Sequence, residues 1–168
     1  REKAFASLSE QAQKAVAAEP NAAELQIWNG IILSTYAGAK GGLGALGLVK
    51  EAKASLEQGL ALDPKALSGS AYTSLGSLYY QVPGWPVGFG DDEKAEAMLK
   101  QALAINPDGI DPNYFYADYL TRAKRYAEAK VALEKALQAP ARPNRLSADA
   151  GRKAEIQALL AKVNAELE

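Results

Sequence analysis

Apolar residues recur every three or four positions along almost the whole chain, and polar residues fill the gaps. That period belongs to helices that bury one face. Over residues 2–19, Phe5, Leu8, Ala12, Ala15 and Val16 share a face, Glu10, Gln13 and Lys14 fall off it, and Pro20 ends the helix. A second helix is predicted over 22–36, with Leu25, Trp28 and Ile32 inward and Tyr36 next on the stripe. Gly30 sits in its middle, where glycine costs about 1 kcal/mol relative to alanine, so a close helix contact is expected there. The run 37–47, AGAKGGLGALG, holds too much glycine for a helix interior and is predicted to be a loop. Helix resumes near Leu48, with Ala52, Leu56, Gly59 and Leu60 as its face, and stops at Asp63-Pro64.

The clearest stretch runs from Ser70 to Pro107. Tyr72, Leu75, Gly76 and Tyr79 form one helical stripe; Ala95, Leu99 and Ala102 form another, and a loop rich in Pro and Gly, 82–91, separates them. Asp91-Asp92 is an N-cap signal, because a carboxylate there accepts orphan backbone N–H groups. Asp111-Pro112 reads as another helix start. Tyr116, Ala117 and Leu120 mark the next helix; Ala129, Leu133 and Ala136 follow after a turn at Lys124-Arg125. Pro140 and Pro143 bracket a linker. Ser147 or Asp149 is expected to cap a last helix carrying Ile156, Leu159, Leu160, Val163 and Leu167. No alternating run is long enough for a strand.

Four segments end alike: AVAAEP at 15–20, GLALDP at 59–64, ALAINP at 102–107 and ALQAP at 136–140. The first three prolines stand 44 and 43 residues apart, and the last matching slot, Ala141, stands 34 after Pro107. The shorter spacing is the tetratricopeptide period, and the two long ones carry the surplus in 37–47 and 82–91. The central unit resembles the tetratricopeptide repeat family through Tyr72, Leu75, Gly76, Tyr79, Ala95, Leu99, Ala102 and Pro107. The next unit matches through Tyr116, Ala117, Leu120, Ala129, Leu133 and Ala136, without the final proline in register. The resemblance implies an all-α solenoid of about eight helices in one domain. It would comprise a half unit (2–20), three units (21–64, 65–107, 108–141) and a capping helix (147–167). Segments like GSAYTSLGSLYYQVPGWPVGFGDD are similar to an exported bacterial repeat family, and loosely to the T-component-like accessory proteins of TRAP transporters. The GWPVGFGD stretch has a looser likeness to regulators of microtubule dynamics. These likenesses imply a periplasmic or otherwise exported binding protein and leave a cytoplasmic location open.

Composition narrows the chemistry. Nineteen Lys and Arg face 20 Asp and Glu, for a net charge of −1, which is no footprint for nucleic acid. No cysteine means no disulfide, thiolate metal site or Cys nucleophile; no histidine removes the usual general base and the commonest metal ligand. No apolar run is long enough to span a bilayer. The start at Arg1, without Met or a signal-peptide pattern, is expected of a trimmed or a mature secreted chain.

Candidate motifs each have a plainer role. Gly42, Gly44 and Gly47 satisfy G-x-G-x-x-G, but no strand precedes them, so an interhelix loop is expected; Lys40 and Lys50 keep an anion as the alternative. No Walker A motif is present. The pairs Asp91/Asp92 and Asp108/Asp111 read as caps and turns, without EF-hand spacing or a nucleophile–base constellation. Arg142, Arg145, Arg152 and Lys153 read as a solvated basic cluster, with an acidic partner as the sharper alternative. The Pro/Gly surroundings of Trp85 favour its folding back against the helices; exposed, it is a binding anchor.

The expected function is binding without catalysis. In a tetratricopeptide stack the first helix of each unit lines the concave groove. In that register Tyr80, Gln81, Tyr114, Asp118 and Arg122 point into it, with Trp85 on its edge loop. Asp118 and Arg122, four apart, also suit a simple helical ion pair. A protein segment held in the groove is the first expectation. A small-ligand accessory of a solute transporter, with an enclosed apolar pocket, is the alternative. No cofactor or metal is expected.

Overall fold

The computed structural model describes residues 1–168 and contains eight α-helices. They are α1 (Glu2–Ala18), α2 (Ala23–Lys40), α3 (Gly44–Leu62), α4 (Ser70–Gln81), α5 (Asp92–Ile105), α6 (Ile110–Arg122), α7 (Tyr126–Leu137) and α8 (Leu146–Leu167). A short 3-10 turn, Ala66–Gly69, precedes α4. No strand forms; one isolated bridge pairs Gly84 with Gly90. No helix is long and apolar enough to cross a membrane.

Helices pair as hairpins, α2 with α3, α4 with α5 and α6 with α7; α1 packs on α2, and α8 on α7 and α6. Helices α2, α4, α6 and α8 also touch in succession, whereas α3, α5 and α7 make no comparable contact among themselves. That asymmetry curves the stack and puts α2, α4 and α6 on its inner row. One continuous core runs through it, with Leu56, Leu75, Leu99, Leu120, Leu133, Ile156 and Val163 fully buried. No hairpin could bury its apolar face alone, so nesting is what supplies the core.

The nesting depends on small residues. A Cβ built on Gly76 would stand 2.7 Å from Leu99 Cγ and 3.3 Å from the Ala95 carbonyl. Gly30 is seated the same way, 2.7 Å from Leu56 Cδ2 and 3.1 Å from the Ala52 carbonyl. Setting Gly30 level with Gly76 places Gln26, Asn29 and Leu33 where Tyr72, Leu75 and Tyr79 stand. The predicted inward stripe of α2 is therefore corrected: Gln26, Ile27, Asn29, Gly30, Leu33 and Ala37 are buried, and Trp28 is exposed. The polar residues fit because most of their polar atoms find partners; Asn29 Oδ1 alone is left without one. Gln26 Nε2 donates to the Pro20 carbonyl at 3.0 Å, and Asn29 Nδ2 donates to Ser55 Oγ at 3.0 Å. Ser55 Oγ in turn donates toward the backbone and side-chain oxygens of Gln26, at 2.8 and 2.9 Å.

The loop predicted over 37–47 shrinks to a tight turn. α2 continues to Lys40 and α3 begins at Gly44, so only Gly41–Leu43 lie between them. Gly41 and Gly42 take positive φ, +66° and +60°, which makes the reversal possible. The other glycines stay helical because Ala37 and Val49 are buried along the lengthened hairpin, offsetting roughly 1 kcal/mol per glycine. Two capping expectations also change. Asp91 does cap α5, accepting from Lys94 N at 3.0 Å. Asp111 caps nothing: α6 starts at Ile110 after Gly109, and Asn113 Nδ2 instead donates to the Pro107 and Gly109 carbonyls. Neither Ser147 nor Asp149 caps α8, which begins at Leu146. Asp149 reaches back into the linker and accepts from Arg142 N at 2.9 Å and Arg142 Nε at 2.7 Å.

Candidate functional site

The C-terminal ends of α4 and α6 bring three of the predicted groove residues together. Tyr80 Oη donates to Asp118 Oδ2 at 2.8 Å. Arg122 Nε lies 3.4 Å from the same oxygen, and its guanidinium sits 5.1 Å from the Tyr80 ring centroid. Tyr80 is itself buried, and burial first, then the Asp118 charge and hydrogen bond, push its phenol pKa up. It holds Asp118 and presents no face of its own, contrary to the groove-facing role predicted for it. Gln81 and Arg122 are exposed beside this cluster.

Tyr114 is half-buried. The Arg152 guanidinium of α8 lies 4.6 Å from its ring centroid, and Phe115 packs edge-on at 5.2 Å. The capping helix thus takes up one face of the Tyr114 ring. Trp85 does the opposite of folding back: it is 90% exposed. Phe89 takes the inward place instead, edge-on to Tyr79 at 5.7 Å, while Gly90 N donates to the Pro83 carbonyl and Asp91 N to the Tyr79 carbonyl. The loop is closed by its own backbone, the Trp85-Pro86 bond is cis, and the indole is left at the tip.

A cavity of about 550 Å³ opens at the other end of the inner row. The first turns of α4 and α6, the middle of α2 and the linkers before α6 and α8 enclose it. None of the six predicted contact residues lines it. Its wall is mixed: Ser34, Thr35, Thr73, Ser74 and Ser77 on α2 and α4 stand beside Trp28, Ile31, Leu67, Ile110 and Phe115, so the enclosed, purely apolar pocket expected for a small ligand is not what forms. The basic cluster near the C-terminus, read from sequence as a solvated face, points here. Arg142 and Arg152 both bind Asp111, at 2.7 and 2.8 Å, and Arg145 lies 5.3 Å from the Trp28 ring centroid. The hydroxyl wall went unread in the sequence, since serine at helical spacing carries no signal for a site. The misregistered α2 hid Trp28 as well.

A second electrostatic node ties α5 to α6 and α7. Glu96 accepts from Tyr119 Oη and Arg125, each at 2.9 Å, and pairs with Lys100 at 3.0 Å. Burial acts to raise its pKa, but hydrogen bonds from Lys100, Arg125 and Tyr119 outweigh it and bring the carboxyl to about 2. Tyr119 is pushed up to about 12, by burial and then by Glu96. This cluster joins helices and faces neither groove nor cavity. No grouping of carboxylates in the chain could hold a metal ion, and the glycine turn at 41–43 opens no helix onto a strand-borne phosphate site.

No protein-family model and no curated protein matches the sequence. Solved structures do match its fold. One structure of MamA gives a TM-score of 0.57 at 22% identity, covering 98% of this chain and 80% of that one. Another MamA structure gives 0.56 at 21% identity, covering 96% and 88%. MamA is a tetratricopeptide-like protein, and the likeness identifies the fold as a helical repeat stack of that type.

Proposed function

We propose that the chain is a non-catalytic scaffold whose inner helix row holds a segment of a partner protein. The observation that carries this reading is the pinned Asp118–Arg122 pair. Tyr80 fixes the carboxylate, the carboxylate and the Tyr80 ring fix the guanidinium, and about half of the Arg122 side chain remains open to solvent. A held guanidinium loses little rotamer freedom when it meets a backbone carbonyl or carboxylate, so more of its binding energy is realised. Gln81 beside it adds a second polar contact. Trp85, exposed on the loop that leaves α4, would supply an aromatic anchor at the groove edge. Tyr80 acts behind the surface, and Tyr114 is half-buried beside α8. An exported location belongs to this reading only through the likeness of the GSAYTSLGSLYYQVPGWPVGFGDD segment to an exported repeat family.

The test is a photocrosslinking amino acid placed singly at Gln81, at Arg122 and at Val131, which is exposed on α7 of the outer row. Crosslinks to one protein from Gln81 and Arg122 and none from Val131 are expected. Equal crosslinking from Val131, or none from the inner row, would overturn the reading.

A further inference from the structure

The cavity holds one cation, Arg145, and three hydroxyls, those of Ser68, Thr73 and Ser74, that the fold leaves without a polar partner. Arg142 is paired with Asp111 at 2.7 Å and Asp149 at 2.6 Å, and Arg152 with Asp111 and Glu155. The Arg145 side chain makes no ion pair and no hydrogen bond; its one charge contact is with the Trp28 ring. Thr73 lines the same cavity, is 5% exposed, and its hydroxyl bonds to nothing in the protein. A cavity that keeps a guanidinium and hydroxyls free of protein partners, open to the solvent that fills it, can use them on a ligand.

The rest of the wall indicates what that use is. Ser34, Thr35 and Ser77 donate their protons to the Gly30, Ile31 and Ser74 carbonyls of their own helices. Their oxygens are left as acceptors, which a ligand must meet with donors. Asp111 is shared between two arginines, and Asp108, at the rim, lies 3.6 Å from Lys135. Those carboxylates oppose a second negative charge, so the cavity suits one oxyanion, at Arg145. Its volume of about 550 Å³ is that of a small-molecule site. An apolar guest would strand the hydroxyls and the guanidinium without partners.

We infer that this cavity binds a small hydroxyl-bearing oxyanion, of the size and chemistry of a sugar acid or a sugar phosphate. The oxyanion takes the free N–H groups of Arg145. The ligand's hydroxyls donate to Ser34, Thr35 and Ser77, and Thr73 donates to the ligand. The site is independent of the Arg122 surface, which lies at the other end of α4 and α6, and it can stand if that surface takes no partner.

The chain has two tryptophans, so Trp85→Phe leaves Trp28 as the only indole, directly against Arg145. This variant is titrated with glucuronate, glucose 6-phosphate and neutral glucose at constant ionic strength, with Trp28 emission followed. A saturable change with at least one anion is expected, and which anion binds tighter distinguishes a carboxylate from a phosphate head group. Adding Arg145→Gln should weaken that binding by about tenfold or more, as expected for loss of a charge-assisted contact. Thr73→Val should weaken it by about threefold to tenfold, with circular dichroism unchanged in both. No saturable change with either anion would overturn the inference, as would glucose binding as tightly or Arg145→Gln leaving the affinity intact.

Discussion

Gly76 lies so close to Leu99 that a methyl group in place of its hydrogen would stand 2.7 Å from Leu99 Cγ. Leu99 is fully buried and has nowhere to retreat. Gly76→Ala is therefore expected to destabilise the protein by about 1–3 kcal/mol through overpacking, despite the better helix propensity of alanine. Gly38 is the control: it is helical, and nothing lies within 4 Å of an added Cβ. Gly38→Ala should stabilise by about 0.4–1 kcal/mol. Urea unfolding midpoints of the two variants should move in opposite directions.

Asn29 stands where the central unit has Leu75, and its Oδ1 is buried without a partner. Asn29→Leu removes that orphan acceptor and restores the apolar residue of the repeat. Ser55 keeps its own proton on Gln26. The expected effect runs from neutral to about 1 kcal/mol of stabilisation, read from the thermal midpoint.

The alternation of apolar stripes and prolines made the hairpin stack legible, because Leu75, Gly76, Leu99 and Ala102 each belong to a periodic set with one physical role. The register of α2 was not legible. Counting apolar residues favours Trp28, whereas the chain seats Gly30 against Leu56 and gives Gln26 and the Asn29 amide nitrogen a shared partner in Ser55, distant in sequence. Glycine density misled in the same way at 37–47, since only Gly41 and Gly42 need a positive φ. Of the groove residues, the Asp118–Arg122 pair could be read from its spacing. That Tyr80 is buried and Tyr114 half-buried depends on α6 and α8, which local pattern cannot place.

Glu96 links stability to acid. Its carboxyl falls from 4.5 to about 2 on folding, so the folded state holds fewer protons than the unfolded chain between those values. The contribution is fully present above about pH 4.5 and is lost as pH falls through about 2. Glu96→Gln should lower stability at pH 7 and flatten the stability–pH slope in that window. Unfolding curves collected from pH 6 downward measure both effects.

The C-terminal helix is held to α6 through Asp111, which binds Arg142 and Arg152 together. Asp111→Ala leaves both guanidiniums short of a partner, a loss of charged hydrogen bonds worth about 1.5–3 kcal/mol each before relaxation. Amide hydrogens of α8 should then exchange faster, while those of α4 and α5 keep their rates, since α8 packs on α6 and α7 rather than on them. Mass spectrometry of exchanged peptides reads the difference.

The curvature of the stack is what brings Trp28 of α2 against Arg145, more than a hundred residues later, and creates both groove and cavity. The chain has no cysteine, so Trp28→Cys combined with Arg145→Cys supplies one reactive pair. With a short bismaleimide, that pair should crosslink within the monomer nearly to completion, while a Trp28→Cys, Val131→Cys control does not. Crosslinking of the first pair no faster than the control would contradict the account.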